Sequence, residues 1–186
     1  VNIIAIGAPG GRNTNDLDNS RSGKVKVYEY DGSDWIQLGS DIFGENAGDT
    51  WYGNVGNDLS TWSRSISVSI SKDGKILTVG YPFNDGNGNK SGIVRIYEYK
   101  GSDWKQIGTD IYGQNANDQL GRNVNISGDG STIAISSPNN NSNDVNSGMV
   151  SIFSRSIEYG FEYKSQDRKL NVKGEVAGEV ITDGFA

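Results

Sequence analysis

The sequence predicts an all-β chain assembled from repeated four-stranded antiparallel units, and three observations carry the prediction. Three stretches are near copies of one another: Ser22-Gly23-Lys24-Val25-Lys26-Val27-Tyr28, Ser91-Gly92-Ile93-Val94-Arg95-Ile96-Tyr97 and Ser147-Gly148-Met149-Val150-Ser151-Ile152-Phe153. Apolar residues alternate with period two, as in Ser65-Ile66-Ser67-Val68-Ser69-Ile70-Ser71, which sends every other side chain to one face of a strand. No stretch of about ten residues holds the i, i+3, i+4, i+7 apolar stripe of an amphipathic helix.

The copies reach beyond their core. Tyr28-Glu29-Tyr30-Asp31-Gly32-Ser33-Asp34-Trp35-Ile36-Gln37-Leu38-Gly39 returns as Tyr97-Glu98-Tyr99-Lys100-Gly101-Ser102-Asp103-Trp104-Lys105-Gln106-Ile107-Gly108. A second anchor, Ile4-Ala5-Ile6-Gly7-Ala8-Pro9, recurs as Leu77-Thr78-Val79-Gly80-Tyr81-Pro82 and Ile133-Ala134-Ile135-Ser136-Ser137-Pro138. The Ser-Gly anchors lie 91 − 22 = 69 and 147 − 91 = 56 residues apart. The unit is therefore about 56 residues long, with an insertion over 51–62 in the first copy.

Each element of the unit has its own signal. The alternating run over 64–71 predicts a first strand with its serines on a solvated face. Asp73-Gly74 suits a tight turn that needs positive φ, and the more continuously apolar run over 76–80 predicts a return strand near the centre of the sheet. A polar loop over 83–90 leads to a third strand over 92–99, and a turn over 100–103 leads to a short fourth strand over 104–108. Residues 110–118 then cross to the next first strand, over 122–127. The first copy supplies a second strand over 3–8, a third over 24–30 and a fourth over 35–39. Four antiparallel strands with short hairpins inside and one longer connection between units make the blade of a β-propeller.

The expected organisation is a partial blade and crossover over 1–50, the insertion over 51–62, a full blade over 63–118, a full but degenerate blade over 119–172, and the start of a next repeat or a tail over 173–186. The last full unit is degenerate because Phe161-Glu162-Tyr163-Lys164 stands where the Gly-Ser-Asp-Trp hairpin belongs. Gly174-Glu175-Val176-Ala177-Gly178-Glu179 then echoes Gly44-Glu45-Asn46-Ala47-Gly48-Asp49. The chain reads as a piece of a longer precursor, a partial propeller whose partners are the remaining blades of that precursor or neighbouring copies.

Composition narrows the chemistry. The chain has no Cys and no His, so Ser-His-Asp, Cys-His and His-ligated metal chemistry are excluded within its 186 residues. Its net charge of −6 disfavours a phosphate-backbone partner, which needs Lys and Arg in excess. No run of about 18 apolar residues is present for membrane insertion as a helix.

The strand and turn pattern resembles the FG-GAP repeats of integrin α-chain-like propellers over roughly residues 1–155. Ser67-Val68-Ser69-Ile70-Ser71, Asp73-Gly74, Ile6-Gly7-Ala8-Pro9, Gly92-Ile93-Val94-Arg95-Ile96-Tyr97 and Trp104-Lys105-Gln106 carry the resemblance. The resemblance implies propeller blades and an adhesive, lectin-like, surface-layer or scaffold role. Integrin-type repeats hold calcium in an acidic loop between the first and second strands. Here that loop has shrunk to Lys72-Asp73-Gly74-Lys75 and Gly128-Asp129-Gly130-Ser131, too short for six or more oxygen ligands, and no metal is expected there.

The candidate binding residues lie in loops. Asn84, Asp85, Asn87 and Asn89 belong to one polar loop, and Asn143 and Asp144 to its counterpart; such loops either read a glycan or protein surface, with calcium as an optional ligand at Asp85 or Asp144, or serve as turn formers. Trp51, Tyr52 and Trp62 lie in the unique insertion, where no repeat constraint demands aromatics, and are expected to contact a partner. Trp35 and Trp104, by contrast, recur and are expected to pack between units. Asp41, Asp49, Asp110 and Asp118 recur around the crossovers and are expected to cap backbone N–H groups.

The function expected is a non-catalytic structural or adhesive module, extracellular, on a cell surface or on a virion, binding a protein or glycan surface without a nucleic-acid partner. Two alternatives stay open: a lectin-like propeller, and a propeller glycosidase or lyase using carboxylates from two units roughly 5–10 Å apart.

Overall fold

The computed structural model describes residues 2–11, 22–46, 48–52, 63–142, 147–155 and 166–168, and among them every regular element is a β-strand. The first sheet pairs β1 (Asn2–Ala8) with β2 (Lys24–Tyr30), whose other edge carries β3 (Trp35–Gln37) and β4 (Ile42–Phe43) end to end. Next come β5 (Trp51–Tyr52) and β6 (Ser63–Arg64), which pair only with each other and close the base of the insertion. The central sheet orders β7 (Ser67–Ile70), β8 (Ile76–Tyr81) and β9 (Ile93–Tyr99), with β10 (Trp104–Gln106) and β11 (Ile111–Tyr112) on the far edge of β9. The third sheet runs β12 (Val124–Ile126), β13 (Thr132–Ser137), β14 (Met149–Ser154), β15 (Gln166–Arg168). All strand pairs between these elements are antiparallel.

The Asp-Gly turns form as their chemistry dictates. Gly74 and Gly130 take φ of +71° and +73°, and the preceding Asp73 and Asp129 accept backbone N–H groups from Lys75 and Ser131. Such a carboxylate, bonding two residues ahead, offers the chain a turn without needing a metal.

Two features depart from the sequence expectation. The segments taken as the opening of the crossovers are strands, since Ile42 and Ile111 pair with Val25 and Val94 at the start of each third strand. The serine face of β7 is not solvated. Ser67 Oγ donates to the Gly121 carbonyl at 2.7 Å, and Ser69 Oγ accepts the Ile126 N–H at 3.1 Å, so this face meets the third sheet.

The three large sheets pack face to face, with the central one covered on both sides. One apolar cluster joins Val25, Val27 and Ile42 of the first sheet to Leu77, Val79, Tyr81, Ile93 and Tyr97 of the central one. The other joins Ile76, Val94 and Ile96 to Val124, Ile126, Ile133, Ile135 and Phe153 of the third. Burial on both faces explains why β8 is apolar along nearly its whole length, each buried aliphatic side chain contributing about 1.5–3 kcal/mol. The repeat makes both interfaces equivalent: the face built by Leu77, Val79 and Tyr97 matches that built by Ile133, Ile135 and Phe153.

Candidate functional site

The first interface is fastened at its edge by a short plug from β10. Trp104 buries its ring against Gly39, where an added Cβ would lie 2.8 Å from the ring, and its Nε1 donates to the Leu38 carbonyl at 2.8 Å. Gly39 also sits at φ +70°, so the receiving loop demands glycine twice over. Asp103 Oδ1 accepts the Ser40 N–H and the Trp104 N–H, each at 2.9 Å, and these two bonds hold its carboxyl below the ordinary range. Tyr99 backs the indole at 5.3 Å between centroids.

The first sheet repeats the plug without a socket. Tyr30 and Trp35 pair at the same 5.3 Å, yet Trp35 is 47% exposed where Trp104 is 6% exposed. Tyr30 and Trp35 are opposite in register, and Ile4 and Ile6 follow on the same face of β1. These four are among the most exposed large apolar side chains described. The expectation that both tryptophans pack between units therefore holds within the described residues for Trp104 and not for Trp35.

Deeper in the same interface, Arg95 is 4% exposed and closes a bidentate pair with Asp110, Nε to Oδ1 at 3.0 Å and Nη2 to Oδ2 at 2.8 Å. Its Nη2 also reaches Glu45 Oε2 of the first sheet's crossover at 2.6 Å. Burial alone would weaken the guanidinium's hold on its proton, but the bonds to Asp110 and Glu45 outweigh it and raise the pKa. Burial likewise pushes Asp110 up, and the bonds from Arg95 and Gln106 bring it below the ordinary range. In the first sheet the equivalent trio is Lys26, Asp41 and Gln37, joined at 2.9–3.2 Å on the bare face. Asp41 and Asp110 thus bind cations and glutamine amides of their own sheet; they are not the backbone caps expected from their recurrence.

Asp49 and Asp118 are such caps. Asp49 Oδ2 accepts the N–H groups of Glu45 and Asn46, and Asp118 Oδ2 accepts that of Asn115. Each carboxylate is then tied to the following unit: Asn84 Nδ2 donates to Asp49 at 3.0 Å and Asn140 Nδ2 to Asp118 at 2.9 Å, both amides buried. Desolvation raises the Asp49 pKa even though the bonds from Asn46, Asn84 and Glu45 oppose it. These Asp–Asn latches bind the loop rim of one sheet to the crossover of the one before.

The polar loop over 83–90 is organised rather than open. Asn84 is consumed by the latch and by the Gly86 N–H. Asp85 accepts the Lys90 N–H at 2.7 Å, and Asn87 donates its amide to the Gly113 carbonyl at 2.8 Å. Asn89 is exposed, and its carbonyl accepts the Asn117 N–H at 2.7 Å. Asp85, Asn87 and Asn89 are brought together at the rim, beside Tyr112, whose ring lies against Gly86. Among the described residues no three Asp or Glu side chains gather around one point as metal ligands would.

Trp51 and Tyr52 form β5 at the base of the insertion; Trp62, Asn143 and Asp144 lie outside the described residues. Sequence reasoning did not single out Arg95, Ile4 or Ile6. The alignment of Lys26 with Arg95 and of Ile6 with Val79 was the available signal, because a face that recurs and is apolar in every copy marks an interface.

No protein-family model matches this chain, and no characterised protein resembles its sequence closely enough to assign a relative.

Proposed function

We propose that the chain is a non-catalytic structural or adhesive binding module of a surface-exposed, secreted or virion protein, its three large sheets being blades of an FG-GAP-type propeller. The supporting observation is that five of the described acids serve the assembly of the fold. Asp49 and Asp118 latch successive units, Asp110 holds a buried Arg95, and Asp73 and Asp129 shape turns. Among the described residues the rim presents Asp85, Asn87, Asn89 and Tyr112 to solvent, hydrogen-bonding and aromatic groups suited to reading a glycan or protein surface.

A lectin reading is favoured by the exposed Tyr30 and Trp35 pair, which presents aromatic surface of the kind on which sugars stack. Glycan arrays and panels of immobilised extracellular proteins, probed with the purified chain, test both. The expected result is binding without turnover, weakened about ten-fold by Asp85→Ala with Asn89→Ala at unchanged melting temperature. Weakening by Trp35→Ala instead would favour the lectin reading. Substrate turnover abolished by a carboxylate substitution would overturn the proposal.

A further inference from the structure

The bare face of the first sheet has a partner defined by the repeat itself. In the central sheet the corresponding face, carrying Leu77, Val79, Arg95, Tyr97 and Trp104, is covered by the neighbouring sheet. In the first sheet it carries Ile4, Ile6, Lys26, Tyr28 and Trp35. Ile6 is 48% exposed where its counterpart Val79 is 0% exposed.

The receiving surface is equally well defined. In the first interface it is made by Ala5, Val25 and Val27. The third sheet aims Ala134, Val150 and Ile152 outward at the same repeat positions, Ala134 opposite Ile152 and Ser136 opposite Val150, and all three apolar side chains are only partly buried. Val25, Val27, Val94 and Ile96, at these positions in the covered sheets, are at most 1% exposed. The described sheets therefore leave two unlike outer faces, whose strand residues are the counterparts of the two halves of an interface the chain already contains.

We propose that the outer face of the first sheet docks onto the outer face of the third sheet of a second copy of this chain, head to tail, repeating the internal interfaces. The occupant is a second copy because both halves of the contact are present on one chain, and unlike faces that match generate heterologous association. Ile4 and Ile6 meet Ala134, Val150 and Ile152, as Leu77 and Val79 meet Ala5, Val25 and Val27. The docking follows from the equivalence of the sheets and does not depend on what the loop rim binds.

Sedimentation velocity on the full chain over a hundred-fold range of concentration provides the test, with Ile6→Lys spoiling one face and Ile152→Lys the other. The expected result is a weight-average mass that rises about two-fold or more with concentration for the unmodified chain, by mass action, and stays at the monomer for each variant alone. Mixing the two variants is the deciding measurement, since each keeps one intact face: a one-to-one dimer that grows no further is expected. Ile6 is already exposed, so its variant folds as the parent does, and circular dichroism confirms the same for Ile152→Lys; should that variant unfold, Ala134→Lys replaces it. A chain that stays monomeric at all concentrations, association that neither substitution affects, or mixed variants that remain monomers would each overturn the proposal.

Discussion

Trp104 and Trp35 hold the same place in two copies of one motif, each backed by a tyrosine at the same distance, and differ in having a neighbour. Trp104 finds the Leu38 carbonyl and the flat surface of Gly39; Trp35 finds solvent. The recurring motif specifies a docking element, and the adjacent sheet decides whether that element is part of a core or part of the surface. Burial here is a property of the pair of sheets, so a repeat read on its own gives the chemistry of the contact without its occupancy.

The largest effect expected from this difference is on stability. Trp104→Ala should cost about 3–5 kcal/mol, because it empties a packed site and leaves the Leu38 carbonyl without its donor. Trp35→Ala should cost under about 1 kcal/mol in the monomer. Urea unfolding of the two variants measures both, and equal losses would show that Trp35 is also covered.

Arg95→Ala should come next, at about 2–3 kcal/mol, since it strands Asp110 in a half-buried site; full burial of both partners would cost more. The matching Lys26→Ala removes a cation from the exposed face and should leave the urea midpoint where it was at moderate salt. A midpoint shift of the same size in both would erase the distinction between the two faces.

The glycines offer a third contrast. A Cβ on Gly80 would stand 2.2 Å from the Gly121 carbonyl oxygen, a backbone atom that cannot yield without moving the third sheet. At the equivalent Gly7 the obstacle is the Ile66 Cγ2 methyl at 2.7 Å, a side-chain atom and not backbone. Gly80→Ala should therefore destabilise by about 1–3 kcal/mol and Gly7→Ala by clearly less, as thermal melts of the two will report.

Acid sensitivity should be smaller and of mixed sign. Hydrogen bonds from Ser127 and Ser131 hold Asp129 at about 2, below the ordinary carboxyl value of about 3.9. Its stabilising contribution is full above that value and is lost as pH falls from about 4 towards 2. Asp49 is raised, so its contribution is full below the ordinary carboxylate range and is lost as pH rises through its folded value. Melting temperatures between pH 2 and 5 should fall with acid in the parent and less steeply in Asp129→Asn; an unchanged slope would assign the acid limb to other carboxylates.

How much of this was legible follows from what each residue depends on. Period-two runs and Asp-Gly turns are local, and they located the second and third strands of the first two units to within a residue or two. The short strands at Ile42 and Ile111 are two residues long and exist only because a third strand offers them an edge, so local pattern read them as connection. The serines of β7 looked solvent-facing because hydroxyls suit water, yet they also suit a close approach between sheets, where each finds a backbone partner. The recurrence of Asp41 and Asp110 correctly marked them as structural, but the kind of bond they make depends on side chains from the strand and its edge, which spacing does not reveal.

The two Asp–Asn latches carry a consequence for how the chain is made. Each spans a modest stretch of sequence, 35 residues from Asp49 to Asn84 and 22 from Asp118 to Asn140, and each points from a finished crossover to the loop of the unit that follows it. A growing polypeptide therefore meets its latch partners in the order in which they leave the ribosome. Assembly can proceed like a zip, one tooth per repeat, with the first sheet serving as template for the second and the second for the third.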